Sequence, residues 1–182
     1  KHMTEAQFVR QPRTAAAARV MAQSQASGDS NFVEKVIQVN RVSKKTQGGN
    51  RIGFSVLMVV GDRQGKVGVG LGKAPDVLSS IKKGITRARK RMVKIPMKGT
   101  TIPYEIKIKL GAAVVLLKPA PTGTGVIAGG AVRAVVEAAG IKDIVSKILG
   151  TSNKASNVYA TFAALQELND IDRRHKNRHI NS

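Results

Sequence analysis

Apolar and polar residues alternate in the segment 32–45, FVEKVIQVNRVSKK, and this period of two predicts a β-strand. A turn at Gly48-Gly49 follows, after which the β-branched run 51–61, RIGFSVLMVVG, predicts a second strand. Another turn at 62–65 leads into the glycine-rich segment 66–73, KVGVGLGK, which predicts a third strand. Three consecutive strands joined by tight turns favour an antiparallel meander.

A helix is predicted next, because apolar residues recur at three- and four-residue steps. Asp76 follows a proline and is expected to cap the amino terminus of this helix. The apolar stripe consists of Val77, Ile81, Ile85, Ala88 and Met92. The opposite face carries Lys82, Lys83, Arg87, Arg89, Lys90 and Arg91. Residues 32–97 are therefore predicted to form a β-β-β-α unit.

A second unit is predicted over residues 104–168, after a linker at 98–103 in a stretch that contains proline and glycine. Gly140 is suited to close one of its helices. The segment 141–150, IKDIVSKILG, fits either a strand or a helix. The other predicted elements are strands at 104–111 and 112–120, a glycine-rich loop at 121–130, and helices at 131–140 and 156–168.

The two ends of the chain lack a pattern that would form a core. Residues 1–31 contain alanine, glutamine, serine and scattered arginines, and are predicted to be a flexible basic tail. A transit peptide is the alternative, because such leaders are rich in Arg and poor in acidic residues. The basic end, 169–182, is expected to be a solvated tail that a partner would order.

The charge balance indicates what kind of partner this fold needs. In 182 residues, 31 Lys and Arg face 11 Asp and Glu, which gives a formal net charge of +20. Nucleic acid matches this excess best, since its phosphates are densely spaced. An anionic membrane is the weaker alternative, since no apolar run approaches the roughly 20 residues of a spanning helix. The chain has no cysteine, which excludes disulfides and thiolate metal sites.

Enzyme chemistry has few candidate residues in this chain. All three histidines, His2, His175 and His179, lie in the terminal segments, and the acidic residues between 32 and 168 are scattered singly. No Ser-His-Asp set or metal-ligand cluster is therefore expected in the body of the chain. The glycine motif at 68–73 matches neither a P-loop nor a dinucleotide fingerprint. It is interpreted as a strand that another backbone approaches closely.

The loop Gly123-Thr124-Gly125 is ambiguous. It lies between an apolar strand and a predicted helix that begins near Gly129-Gly130, so its amides could hold a phosphate of RNA or of a nucleotide. A tight strand-to-helix turn without a ligand fits the same residues. The pattern leaves these alternatives open.

RNA is expected to be recognised through its backbone and shape rather than by base stacking. Aromatic residues make up 3% of the chain, and Phe54 in the second strand is interpreted as a core residue. The Gly48-Gly49 turn has no bulky side chain and could enter a groove closely. An ordinary solvated turn is the alternative. The basic residues that flank this turn are Arg41, Lys44, Lys45 and Arg51.

Several segments, taken together and in order over residues 32–168, resemble the bacterial-type ribosomal protein S-five family. These segments are VNRVSKKTQGGNRIGFSVLMVVGD, VGVGLGKA, GTTIPYEI, LLKPAPTGTGVIAGGAVRAVVEAAGIKDI and LGTSNKASNVYAT. The resemblance implies an α+β fold. Its amino-terminal β-β-β-α domain would be like a double-stranded-RNA-binding domain, and its carboxy-terminal domain would be a two-layer β-α-β-α unit. The resemblance also favours a strand for DIVSKIL.

The resemblance implies a structural protein of the small ribosomal subunit. Such a protein binds small-subunit ribosomal RNA, lies near the messenger RNA entry path beside the proteins S-four and S-eight, and supports subunit assembly and decoding accuracy. The expected location is the cytoplasmic ribosome, with an organellar ribosome as the alternative. The alternative function is a phosphate-binding enzyme of the related kinase-superfamily fold, by fold analogy alone. No cofactor, metal or membrane is expected.

The resemblance also assigns two groups of residues. The segment from Ser43 to Arg51 matches the family's hairpin loop, which is linked to spectinomycin sensitivity. Gly125 and Arg133 match positions that contact S-four. Together with the basic residues already noted, the expected RNA-binding set is Arg41, Ser43, Lys44, Lys45, Gln47, Gly48, Gly49, Asn50, Arg51, Lys82, Lys83, Arg87, Arg89, Lys90 and Arg91.

Overall fold

A computed structural model describes the backbone of residues 32–180 and the side chains as far as Arg174. The predictions of a basic tail or a transit peptide over residues 1–31 lie outside this part of the chain. The elements are β1 (Val33–Thr46), β2 (Gly49–Gly61), β3 (Lys66–Ala74), α1 (Val77–Lys90), β4 (Val93–Lys94), β5 (Ile106–Leu110), β6 (Ala113–Pro119), β7 (Val126–Ile127), α2 (Gly130–Ala139), β8 (Ile144–Ile148) and α3 (Lys154–Ile180).

Two four-stranded sheets organise these elements, and they confirm the predicted α+β class. The first sheet has the order β1-β2-β3-β4 with antiparallel neighbours, as the meander pattern predicted. The second sheet has the order β5-β6-β8-β7, in which β7 and β8 run parallel. The strand β8 resolves the segment that the pattern left ambiguous, in the direction that the resemblance implied.

The helix α1 begins where the sequence predicted. Oδ2 of Asp76 accepts a hydrogen bond from the Ser79 amide at 3.2 Å, which caps the helix. The predicted apolar stripe is right for Ile81 and Ala88, which are buried, but Val77 is half-buried, as are Ile85 and Met92. Small side chains take up the rest of the contact. The buried residues of the helix are Ser80, Ile81, Gly84 and Ala88.

The glycines of β3 allow α1 to pack directly on the strand backbone. A Cβ built on Gly72 would lie 1.9 Å from the Ser80 carbonyl oxygen, and one on Gly70 would lie 2.2 Å from the Gly84 carbonyl oxygen. Gly68 has the same relation to the next turn of the helix. The interpretation of the 68–73 motif as a site of close backbone approach is confirmed.

The inner part of β2 is buried on both faces of the first sheet, which explains its unbroken apolar run. Residues 55–61 are all buried. Met58 faces α1, where its Cγ lies 2.8 Å from a Cβ built on Gly84. Leu57 and Val59, on the opposite face, belong to the core that the first sheet shares with α2, α3 and the second sheet. A strand covered on both sides has apolar residues at successive positions.

The main core joins both parts of the chain. Val136 of α2 and Leu165 of α3 are buried in it together with side chains of both sheets. Ile102, from the segment predicted to be a linker, is 1% exposed and belongs to the same core. Lys98 and Thr101 form an isolated bridge within that segment. The 98–103 connection is therefore anchored to the folded body.

The last helices agree with the predictions in type and differ in length. α2 is closed as predicted by Gly140, which has a left-handed φ of 91°. α3 continues to Ile180, so the predicted end at residue 168 is wrong. The predicted tail 169–182 is helical over its described part. The two-residue strand β7 was not predicted, because its neighbours in the loop are glycines and prolines.

Candidate nucleic-acid interface

The hairpin formed by β1 and β2 extends beyond the rest of the first sheet. β2 pairs with β3 between Phe54 and Gly61, whereas its pairing with β1 continues outward to Gly49. The outer part, residues 42–53, is called the distal hairpin below. Its residues are exposed apart from the half-buried Gly53. A two-stranded hairpin is marginally stable by itself in water, so this extension is suited to a partner that covers it.

Cationic side chains face one another across the distal hairpin. The register places Lys44 opposite Arg51 and Lys45 opposite Asn50. Like charges directly opposite each other destabilise a strand pair, on the scale of about 0.2–1 kcal/mol that cross-strand pairs contribute. Residues 42–53 contain no Asp or Glu to offset this repulsion. An anionic partner would remove it.

The tip of the distal hairpin is narrow. Gln47 and Gly48 form the turn, and Thr46 Oγ1 donates a hydrogen bond to the Gly49 carbonyl oxygen at 2.8 Å. Gly49 has a φ of +122°, a conformation that side chains disfavour. A Cβ built at Gly48 or Gly49 would meet no atom within 4 Å. The glycine backbone of the tip is therefore open to close approach by a partner.

The base of the distal hairpin mixes polar and apolar side chains. Arg41 is exposed and lies opposite Phe54, and Ser43 lies opposite Ile52. Ile52 and Val42 are each 42% exposed. Phe54, interpreted from the sequence as a core residue, is half-buried. A surface of exposed aliphatic side chains among cations is better suited to the riboses and phosphates of an RNA backbone than to isolated phosphate groups.

The basic residues of α1 divide into two groups. Lys82, Lys83, Lys90 and Arg91 are exposed. Arg87 is exposed too, but its Nη1 donates a hydrogen bond to the Leu71 carbonyl oxygen at 2.7 Å. Arg89 is half-buried: its Nη2 lies 3.3 Å from Glu34 Oε1, and its guanidinium lies 5.3 Å from the Phe32 ring centroid. Arg87 and Arg89 thus have structural contacts, while the first group faces solvent.

The helix places its cations along the sheet rather than beside the hairpin tip. Ser80 Oγ, near the start of α1, donates a hydrogen bond to the Phe54 carbonyl oxygen at 3.1 Å. Phe54 directly follows the distal hairpin in β2, at its base. Ala88, near the end of α1, lies against Gly68 at the far end of β3. Lys82 and Lys83 therefore lie nearer the hairpin than the cations of the last turn.

The ambiguous glycine loop is held by a carboxylate of the protein. Asp143 Oδ1 accepts hydrogen bonds from the amides of Gly123, at 3.0 Å, and Gly125, at 2.9 Å. A hydrogen bond from the Thr100 side chain, followed by that from the Gly125 amide, lowers the pKa of Asp143 below its usual value. The amides that could have held a phosphate are thus already bonded. This geometry supports the tight-turn alternative.

The two residues expected at a protein interface lie on either side of β7. Gly125 has a φ of 77° and is half-buried. Arg133, in the first turns of α2, is 57% exposed, and its Nε donates a hydrogen bond to Glu137 Oε1 at 2.7 Å. Glu137 also bonds to Lys35 of β1, which together with Arg133 lowers its pKa. Arg133 is therefore part of an ion-pair group that ties α2 to the first sheet.

Sequence reasoning missed the roles of Lys35, Glu137 and Asp143. The Arg133–Glu137 spacing of four residues is visible in a predicted helix. The contact between Lys35 and Glu137 spans 102 residues, and no local pattern indicates it. Asp143 follows the glycines that it binds by 18 and 20 residues, so the strand order had to be known first.

The described residues have no sign of a metal centre or of a membrane-spanning helix. They contain no group of three or more His, Cys, Asp or Glu side chains that could hold a metal ion. None of the helices described is both long and apolar enough to cross a membrane.

Comparison with known proteins gives matches to two family models. Residues 32–96 match the model described as "Ribosomal protein S5, N-terminal domain". Residues 108–178 match "Ribosomal protein S5, C-terminal domain". The boundary between the matches falls in the segment after β4.

Curated relatives agree with these models. A protein of Protochlamydia amoebophila is 51% identical over 140 residues, which cover 77% of this chain and 84% of the relative. One of Lawsonia intracellularis is 53% identical over 137 residues, 75% of this chain and 84% of the relative. One of Treponema pallidum is 49% identical over 142 residues, which cover 78% of this chain and 83% of the relative. Each bears the name small ribosomal subunit protein uS5. The chain belongs to the ribosomal protein S5 family, as its sequence motifs indicated.

Proposed function

We propose that the protein contacts small-subunit ribosomal RNA chiefly through the distal hairpin, with the exposed cations of α1 as a second contact. Its general function is that of a structural constituent of the small ribosomal subunit, and it is not an enzyme. The observation that carries the proposal is the exposed hairpin in which Lys44 lies opposite Arg51. This arrangement is unfavourable in the free protein and becomes favourable against phosphates.

The distal hairpin and the helix would have different tasks. The narrow tip from Gln47 to Asn50 would enter a groove or junction, while Lys44, Lys45 and Arg51 bind the phosphates on either side. Lys82, Lys83, Lys90 and Arg91 would bind backbone phosphates along the sheet. Arg87 and Arg89 would add charge to this surface while they keep their structural contacts. Recognition would depend on RNA shape rather than on base identity.

The proposal extends to neighbouring proteins and to decoding. Gly125 and Arg133 would form the contact with S-four, a role supported by the exposure of the Arg133 side chain. S-eight and the messenger RNA entry path would lie nearby. A contact of this kind would let the protein influence decoding accuracy, and the distal hairpin would determine the response to spectinomycin. The three relatives are bacterial, which favours the ribosome of a bacterial cytoplasm over that of an organelle.

Incorporation into subunits tests the hairpin proposal. Lys44→Glu/Lys45→Glu is expected to reduce co-sedimentation with the small subunit at least about tenfold near 0.15 M salt, because two phosphate contacts become repulsive. Binding of the unaltered protein should itself weaken steeply between about 50 and 200 mM salt.

The matched control is Lys98→Glu/Lys142→Glu, which makes the same charge change at exposed residues outside the distal hairpin. Equal incorporation of both variants, together with an unchanged spectinomycin response, would refute the role of the hairpin. A protein that bound duplex RNA but sedimented apart from the small subunit would be a free RNA-binding protein instead.

A further inference from the structure

The second sheet has one face that α2 and α3 leave uncovered. On the covered face, Ile106, Val115, Leu117 and Ile144 are buried in the main core. Because side chains alternate along a strand, their sequence neighbours lie on the opposite face. These neighbours include Lys107, Lys109, Lys118 and Lys147, all of which are exposed.

The strand register arranges this outer face in rows. Lys107 lies beside Leu116, which lies beside Lys147. In the row on one side of these residues, Lys118 lies beside Val145, which lies beside Ile127. In the row on the opposite side, Lys109 lies beside Val114. Ile127 is 54% exposed, and Leu149, whose amide donates a hydrogen bond to the Val114 carbonyl oxygen at the other end of the face, is 52% exposed. The lysine sheet face, as it is called here, is thus an aliphatic strip between lysines.

The charge of the lysine sheet face is poorly balanced. Glu105 pairs with Lys118 at 3.2 Å, and each of these side chains is about half exposed. The register places no carboxylate beside Lys107, Lys109 or Lys147. Lys107 and Lys109 lie two residues apart on one strand, about 6.6 Å, so their charges repel, and Glu105, at the same spacing on the other side of Lys107, is already paired with Lys118.

We propose that the lysine sheet face docks on the phosphate and ribose backbone of a helical segment of small-subunit ribosomal RNA, as a contact separate from the distal hairpin. This inference rests on the proposed function, which supplies the RNA. Lys107, Lys109 and Lys147 bind phosphates, while the aliphatic strip lies on riboses. An exposed sheet face without protruding loops between its lysines suits the wide, shallow minor groove of an RNA duplex, which is recognised through its backbone.

The composition of the face favours RNA over a protein partner. Protein interfaces are depleted in lysine and enriched in aromatic residues. The lysine sheet face has the reverse composition, with four lysines, one glutamate and no aromatic side chain among its ten residues, Glu105, Lys107, Lys109, Val114, Leu116, Lys118, Ile127, Val145, Lys147 and Leu149. Lysine is a compact point charge that suits phosphate contacts without base specificity.

A triple variant, Lys107→Gln/Lys109→Gln/Lys147→Gln, tests the inference in small subunits reconstituted from ribosomal RNA and the other subunit proteins. Incorporation at about 0.15 M salt should fall at least about tenfold, and the slope of log affinity against log salt should fall by about one for each lysine. Hydroxyl-radical cleavage should show loss of one patch of protected riboses, with the protection due to the distal hairpin retained.

Two control variants make the outcome specific. Lys98→Gln/Lys142→Gln/Lys154→Gln removes the same charge from exposed residues outside the face and should keep the full salt slope. The corresponding triple Lys→Arg variant keeps the charge and should restore incorporation. Circular dichroism should show that all three variants fold, because the altered side chains are exposed.

The possible failures are distinguishable. An unchanged salt slope and ribose protection in the Gln variant would overturn the inference and leave the proposed function standing. An unchanged slope with loss of a neighbouring protein from the particle would overturn it in favour of a protein partner. Equal losses in both Gln variants would also overturn it, since the effect would then be one of net charge. Failure of the unaltered protein to incorporate would overturn the proposed function itself.

Discussion

The strands β1 and β2 have two halves with opposite character. The proximal half is bound to β3, covered by α1 on one face and by the main core on the other, and its β2 residues 55–61 are buried. The distal half, residues 42–53, has two strands, exposed side chains and unopposed cations. The same pair of strands therefore forms core at one end and an exposed basic surface at the other.

Glycine shows the difference between the two halves most clearly. Gly72 of β3, beside the proximal half, lacks a side chain because the Ser80 carbonyl oxygen occupies its place. Gly48, at the distal tip, has no atom near the position of a Cβ. The first glycine serves the protein's own packing, and the second leaves space that a partner can use. A glycine motif alone does not distinguish these cases.

The largest expected effect comes from adding a side chain at Gly72. Gly72→Ala places a methyl group 1.9 Å from a backbone oxygen, so α1 must move away, and we expect a loss of about 2–3 kcal/mol in the free energy of unfolding. Gly48→Ala is the matched control and should change this free energy by less than about 0.5 kcal/mol. Urea denaturation measures both, and similar losses in the two variants would contradict the comparison.

An intermediate effect concerns the attachment of the proximal half to α2. Glu137→Gln breaks the ion pair with Lys35, and since both side chains are about one-third exposed we expect a loss of about 0.2–1 kcal/mol at pH 7. The pKa of Glu137 is lowered from 4.5, so its stabilisation is present above that pH and disappears as pH falls through the folded-state pKa.

The pH profile of unfolding therefore tests this pair. The difference in stability between the unaltered protein and Glu137→Gln should shrink as pH falls from 7 to below 4.5. Glu167→Gln, at an exposed residue of α3, controls for the change in formal charge. A difference that stayed constant with pH would mean that Glu137 contributes through packing rather than through its charge.

The smallest expected effect is a stabilisation in the distal half. Lys44→Glu places a carboxylate opposite Arg51 and should stabilise the distal hairpin by about 0.2–1 kcal/mol, although we expect it to weaken RNA binding. Hydrogen exchange of the hairpin amides should become slower. Lys45→Glu makes the same charge change opposite the neutral Asn50 and should not slow exchange. Equal exchange rates in both variants would show that the cross-strand repulsion is negligible.

The sequence predicted the local features of the molecule well. The meander of β1, β2 and β3, the Asp76 cap and the Gly140 closure follow from patterns a few residues long, whereas the two-residue strand β4 was not predicted. The exposed basic turn around Gly48 and Gly49 was also predicted, because its charge and glycine content lie within one short segment, whereas the full range from Ser43 to Arg51 came from the family resemblance. Local signals of this kind do not depend on which elements later meet.

The features that were missed depend on contacts between distant segments. The Lys35–Glu137 pair and the bonds from Asp143 to Gly123 and Gly125 require the second sheet and α2 to be in place. The structural contact of Arg89 with Glu34 required knowledge of which strand faces α1. The end of α3 was misjudged because its basic terminal residues have the composition of a solvated tail.

The carboxylate of Asp143 determines whether the loop Gly123-Thr124-Gly125 can bind an external anion. Two glycine amides converge on a single oxygen, which is the geometry that a bound phosphate would otherwise require. The protein carries its own anion at this point as a permanent substitute for a ligand. One side chain thus occupies the position that an external anion would otherwise need in order to reach these amides.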